Sequence, residues 1–74
     1  MRRLSDLKPG ESGVIASVNA SDAVTLHLLE LGLAPGESIT LLRTAPGGDP
    51  LEYEFMSYRL AIRRREAAHI KLAD

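Results

Sequence analysis

The segment LEYEF, Leu51 to Phe55, alternates apolar and acidic residues with a period of two. In an extended chain that spacing puts Leu51, Tyr53 and Phe55 on one side and Glu52 and Glu54 on the other. It is the cleanest strand signal in the chain. Working outward, Tyr58, Leu60 and Ile62 alternate with Arg59 and Ala61, and Ile39 and Leu41 flank Thr40, although Leu42 breaks that pattern. Val14, Ala16 and Val18 are expected on the buried face of a first strand, and Ala68, Ile70 and Leu72 on that of a last one. Five short strands joined by turns predict a mainly β fold, a small closed or half-closed antiparallel barrel.

One segment departs from this alternation. SDAVTLHLLELG, Ser21 to Gly32, reads as a helix of about three turns. Ser21 suits the N-cap, Asp22 the positive end of the dipole, and Gly32 the left-handed residue that ends a helix. A second, very short helix is expected at Arg64 to Ala67. At 100° per residue, Val24, Leu28 and Leu31 share one face, expected against the barrel. Leu26 and Leu29 fall on another. Either the helix is wedged so that both stripes are buried, or Leu26 and Leu29 are exposed and meet a partner; we take the second as the expectation.

The sequence also echoes itself. LKPGESGVI starts at Leu7 and LAPGESITL at Leu33. Proline followed by glycine fits the centre of a type II turn, so the same turn is expected at two corners. APGGDP, Ala45 to Pro50, is a hairpin tip too wide for a two-residue turn.

Composition bounds the chemistry. The 74 residues make one small domain, 1–74, with 45% apolar residues but only 4% aromatic, so the core must be aliphatic. No cysteine is present, which removes disulfides, thiolate metal sites and a cysteine nucleophile. No apolar run approaches the roughly 20 residues of a membrane helix, so no direct membrane insertion is expected. MRRLSDLKPGE lacks the apolar stretch of a signal peptide, and a cytoplasmic location is expected. Nine basic residues against ten acidic give a net charge of -1, without the basic excess of a nucleic-acid binder.

Candidate chemistry is sparse. No GxSxG context surrounds a serine, and GGD at Gly47 to Asp49 lacks the lysine and hydroxyl of a phosphate loop. Glu52 and Glu54 share a strand face that reads as solvated. The expectation is a protein that is not an enzyme. His27 and Glu30 lie three apart on the helix and could hold a divalent ion together, with His69 as a third ligand from this chain or a neighbour. Two ligands make a weak site, so no cofactor is required; a weakly bound iron or zinc ion, and a metal-promoted homodimer, are the expectation. Arg63, Arg64 and Arg65 form the one basic run, suited to an acidic protein partner.

LLELGLAPGESITLLRTAPGGDP, Leu28 to Pro50, followed by LAIRRREAAHI, Leu60 to Ile70, resembles the FeoA family, the small cytoplasmic component of bacterial ferrous iron transport. A leucine-rich helix, LGL, a PG turn, a Gly-rich loop and a terminal LAxRxxEA-like segment occur in the family's order across essentially the whole chain. The resemblance implies an SH3-like barrel with an added helix. It implies a partner, the FeoB membrane transporter with its cytoplasmic GTP-binding domain. The same fold occurs at the C-terminus of metal-dependent repressors, which keeps a metal-responsive module as the alternative. His27 departs from the family, which often has a basic residue there. Three aromatics cannot pave the groove that SH3 domains use for proline-rich ligands. Leu26, Leu29, Glu30, Arg63 and Arg64 are the expected partner-binding set.

Overall fold

The computed structural model describes residues 2–19 and 22–73. Its strands are β1 (Ser12–Val18), β2 (Ser38–Thr44), β3 (Leu51–Phe55), β4 (Tyr58–Ile62) and β5 (Ile70–Leu72), with helices α1 (Ala23–Glu30) and α2 (Arg64–Ala67). All pairings are antiparallel, in the order β4-β3-β2-β1-β5. Near-equal extents of 27 × 25 × 24 Å show that the sheet curls around its inner face. Leu51, Tyr53 and Phe55 point into that face, as their alternation requires, with Ile39, Leu41, Ile62, Ile70 and Leu72.

Two irregularities decide which side chains face inward. In β2, Leu41 opposes Tyr53 but Arg43 already opposes Glu52, so Leu42 is the extra residue of a bulge. The break in the apolar pattern at Leu42 has this cause. In β1 the register shifts between Ile15 and Ser17. The expected buried set there is corrected: Ile15 is buried, Val14 is exposed, and Val18 packs on the core only beyond the shift. GVIASV holds apolar residues at both parities, and a bulge switches the inward parity midway. Gly13 shares Ile15's inward side, where a Cβ would come within 2.8 Å of Leu72 Cδ1, so any larger residue would make the buried Leu72 shift.

The sequence echo is a local two-fold. Glu11 N–H donates to Lys8 C=O and Glu37 N–H to Ala34 C=O, each closing a turn with its glycine at positive φ (Gly10 89°, Gly36 95°). Gly10 N–H donates to Leu41 C=O at 2.7 Å, and Gly36 N–H donates to Ile15 C=O at 2.8 Å. Leu41 N–H reaches Glu11 C=O at 3.0 Å, and Ile15 N–H reaches Glu37 C=O at 2.9 Å. Each turn therefore docks on the strand that follows the other, with all equivalent positions offset by 26 residues (36 − 10). Leu7 and Leu33, equivalent in the echo, are both buried.

The sheet leaves a seam, because β4 and β5 do not pair. Among the described residues an N-terminal strap runs along its β5 side and covers the core there, leaving the backbone edge of β4 open. Leu4–Asp6 forms a 3-10 turn, Arg3 bridges Lys71, and Leu72 N–H donates to Arg2 C=O. Leu4 is fully buried, and the Tyr53 hydroxyl donates to its carbonyl at 3.0 Å. α2, at the expected residues, lies on the same side. Asp49 Oδ1 accepts the Arg64 N–H at its start, and the Arg64 guanidinium donates to Gly48 C=O at 3.1 Å and to Ser5 C=O at 3.4 Å. Ala68, expected in the last strand, instead ends α2 and is half-buried.

Burial pushes the Tyr53 hydroxyl well above the ordinary phenol range, opposed in part by Arg64, so it remains a donor. A group whose pKa rises on folding stabilises the fold fully below its unfolded value, about 10 for tyrosine. That contribution is lost as pH climbs toward the folded value. Tyr53→Phe should leave the buried Leu4 carbonyl with only the longer 3.3 Å bond from Leu7 N–H and cost about 1 kcal/mol at neutral pH. Urea unfolding across pH 7 to 11 checks both points: the gap between wild type and variant should shrink above pH 10.

Candidate functional site

α1 begins with a reciprocal cap. Thr25 N–H donates to Asp22 Oδ1 at 2.9 Å, its hydroxyl donates to the same carboxylate, and Asp22 N–H returns a longer contact of 3.4 Å to Thr25 Oγ1. These contacts, the Thr25 amide first, hold the Asp22 carboxyl below the usual carboxylate range. The N-cap is Asp22; Ser21, assigned that role from sequence, lies outside the described residues. The helix ends as expected at Gly32, with φ 108°. Leu33 N–H donates to Leu28 C=O and Gly32 N–H to Leu29 C=O, the two bonds of a Schellman ending.

The buried face of α1 differs from the expectation. Thr25 and Leu28 are buried and Leu29 is half-buried, while Val24 and Leu31 are exposed. The apolar positions span an arc from Leu31 through Val24, Leu28 and Leu29 to Leu26, and the centre of that arc is Thr25. A threonine can occupy it because Asp22 satisfies its hydroxyl. The signal was present in the D-x-x-T spacing, which makes Thr25 the third helical residue of a cap.

The face of α1 away from the barrel carries Leu26, 52% exposed, with exposed His27 and Glu30 between it and Leu31. Leu26 is an accessible apolar side chain, whereas Leu29 contributes only its outer part. His27 Nδ1 lies 3.9 Å from Glu30 Oε1, so that pair is brought together. His69, half-buried between α2 and β5, is not brought to that pair. Among the described residues no group of three histidine or acidic side chains suits a metal ion. Of the basic run, Arg64 is tied to the 45–50 loop and the strap, and Arg65 pairs with the buried Glu66 at 2.9 Å. Only Arg63, exposed at the start of α2, has no side-chain partner among the described residues.

No pocket that would enclose a small molecule occurs among the described residues. Glu52 is paired with Arg43 at 3.0 Å, and Glu54 is exposed. The candidate site is therefore a surface, the outer face of α1, and no hydrogen bond or ion pair among the described residues joins Arg63 to it.

Solved structures and curated relatives place the chain. The FeoA protein of Chlorobium tepidum is 41% identical, with a TM-score of 0.87 over 96% of this chain and 68% of that one. Stenotrophomonas maltophilia FeoA, solved with zinc and described as a procaryotic SH3 domain protein, is 34% identical. It superposes with a TM-score of 0.86, over 97% of this chain and 89% of that one. The five-stranded sheet is thus SH3-like. A Porphyromonas gingivalis protein, a fusion of Fe(2+) transport protein A with the Fe(2+) transporter FeoB, is 37% identical over 70 residues. That match covers 95% of this chain and 8% of the fusion's length. The FeoA domain profile matches residues 2–74, and the chain belongs to the FeoA domain family.

Proposed function

We propose that this chain is a cytoplasmic, non-enzymatic accessory protein of ferrous iron uptake that binds the cytoplasmic part of a FeoB-like transporter. The observation that carries the reading is the fusion relative, in which a domain like this one is joined covalently to FeoB. Covalent linkage turns binding into an intramolecular event, which has value where the two parts act together. Leu26 is the central contact, with Glu30 and the outer part of Leu29 around it. An exposed leucine among charged neighbours suits the apolar centre of a small interface with a polar rim. Arg64 is engaged instead by the 45–50 loop and the strap. No helix among the described residues is long and apolar enough to cross a membrane.

Leu26→Glu should retain the wild-type melting temperature, within about 0.5 kcal/mol of stability, because the side chain is at the surface. It should lose capture by the purified cytoplasmic domain of the transporter in a pull-down. Leu29→Glu buries part of a charge and should cost roughly 1–3 kcal/mol. A Leu26→Glu variant that binds with unchanged affinity removes this helix face from the reading.

A second reading, a metal-responsive module, is favoured by the His27–Glu30 pair and by the zinc complex of the Stenotrophomonas relative. Two exposed ligands leave most of a tetrahedral shell to a neighbouring molecule. Added zinc should therefore raise the scattering mass, chelator should reverse it, and His27→Ala should weaken the response. Unchanged monomer across the titration excludes this reading and leaves the first intact.

A further inference from the structure

The geometry points to a second binding surface: we propose that the open edge of β4 takes an extended peptide segment as an added strand, with the pattern acid–apolar–x–apolar–acid. This goes beyond binding at α1 and uses a different edge of the molecule.

β4 ends the sheet and pairs with β3 on one side only. Met56 and Ser57 join the two strands as a two-residue turn, with φ of 51° and 70°. The pair flanking such a turn, Phe55 and Tyr58, is hydrogen-bonded, and bonded pairs then alternate along the ladder. Tyr58, Leu60 and Ile62 therefore bond to β3, and Arg59 and Ala61 point their N–H and C=O groups outward. Among the described residues nothing takes those groups. An unpaired row of this kind is a template for another strand.

Side chains on the two faces of β4 specify what would fit. On the solvent face the cross-strand rows run Thr40–Glu54–Arg59 and Arg43–Glu52–Ala61. Arg43 closes on Glu52, but Arg59 and Arg63 form no ion pair among the described residues. They bracket Ala61 two residues to either side, on the same face of extended backbone. An added strand with acids four residues apart would meet both arginines. Its pattern reads alike in either direction, so it holds for parallel and antiparallel docking.

On the opposite face, cover thins toward the turn. Ile62 is buried and Leu60 half-buried, while Tyr58 is 43% and Met56 62% exposed. Tyr58 donates its hydroxyl to Leu31 C=O at 3.2 Å, and Met56 Sδ lies 3.6 Å from the Cβ position of Gly32. Leu31, Met56, Tyr58 and Leu60 thus form one apolar strip beside the open backbone, which the alternating apolar residues of the segment would cover. Methionine and serine hold left-handed backbone where glycine or asparagine is cheaper, and methionine there adds apolar surface at the tip. A second copy of this chain fits poorly, because antiparallel β4 strands centred on Ala61 would set Arg59 against Arg63 twice.

The probe is the synthetic peptide acetyl-IEVTVEI-amide, titrated into the labelled protein and followed by amide NMR. Shifts should centre on residues 58–63, and exchange of the Arg59 and Ala61 amides should slow roughly tenfold at saturation. Arg59→Glu with Arg63→Glu should weaken the peptide roughly tenfold or more, and acetyl-IKVTVKI-amide should restore binding to that variant. Ala61→Pro removes an outward N–H that β3 does not use, so the fold should persist while binding is lost. If that variant unfolds, the charge exchange decides alone. The proposal fails if the peptide shifts no β4 amide at millimolar concentration, or if charge reversal leaves affinity unchanged. It fails equally if β4 amides broaden with protein concentration alone, which would assign the edge to a second copy. The readouts here are β4 amides and a peptide, whereas the transporter reading is tested at Leu26 by pull-down, so failure of one is distinguishable from failure of the other.

Discussion

The hydroxyl of Tyr53 reaches across 49 residues of sequence to the carbonyl of Leu4, and the enclosure of the core depends on that contact. Five strands of this length leave β4 and β5 unpaired at the two ends of the sheet. An unsealed seam would admit water to an aliphatic core that has few large rings to block it. The N-terminal strap, lying along β5, covers the core with Leu4 and Leu7, whose burial is worth roughly 1.5–3 kcal/mol each. Three further contacts fix it in place: the Leu72 bond to Arg2, the Arg3–Lys71 bridge and the Arg64 guanidinium on Ser5. Arg64 also grips the 45–50 loop, so a single side chain couples three segments distant in sequence. A tyrosine inside an otherwise apolar core is tolerated because its one polar atom finds a partner.

How much of this was legible in the sequence varied with the kind of signal. β3 was legible because LEYEF leaves only one parity for a buried face. β1 was not, because GVIASV is apolar at both parities and a bulge reverses the choice midway. The strap was missed, since Leu4 and Leu7 give one helical spacing in a polar stretch, too short for any period. A pointer to it was nevertheless present. The echo equates Leu7 with Leu33, and a leucine that ends a helix on the core implies that its counterpart is buried too.

The helix shows the same limit at the candidate site. Its ending at Gly32 followed from glycine chemistry, while its cap is Asp22 rather than the Ser21 read from sequence. Its orientation did not follow, because counting leucines alone gives two stripes. Once Thr25 is taken as apolar toward the barrel and polar toward Asp22, the stripes merge into one wide arc around it. Leu29 then falls on the flank and Leu26 at the rim. Val24 and Leu31 become exposed on the other rim. The basic run was overread in a related way: charge identifies arginines but not what already holds them. Two of the three serve the fold, and that depends on contacts from residues 5, 48 and 66 that no local pattern reveals.

A filled barrel of this size has no interior to spare for a ligand, so whatever it does must be done on its surface. The described structure leaves two kinds of unfinished surface, and they differ physically. The outer face of α1 offers side chains on a backbone whose hydrogen bonds are complete, so binding there is governed by shape and apolar area. The β4 edge offers unpaired backbone, whose directionality demands an extended ligand and tolerates many side chains. Leu31 borders both, because the Schellman ending turns the chain at Gly32 against the β3–β4 hairpin. Ligands at the two surfaces would therefore share one apolar boundary. A contact that moves the end of α1 would be felt at the hairpin tip through the Tyr58 bond to Leu31.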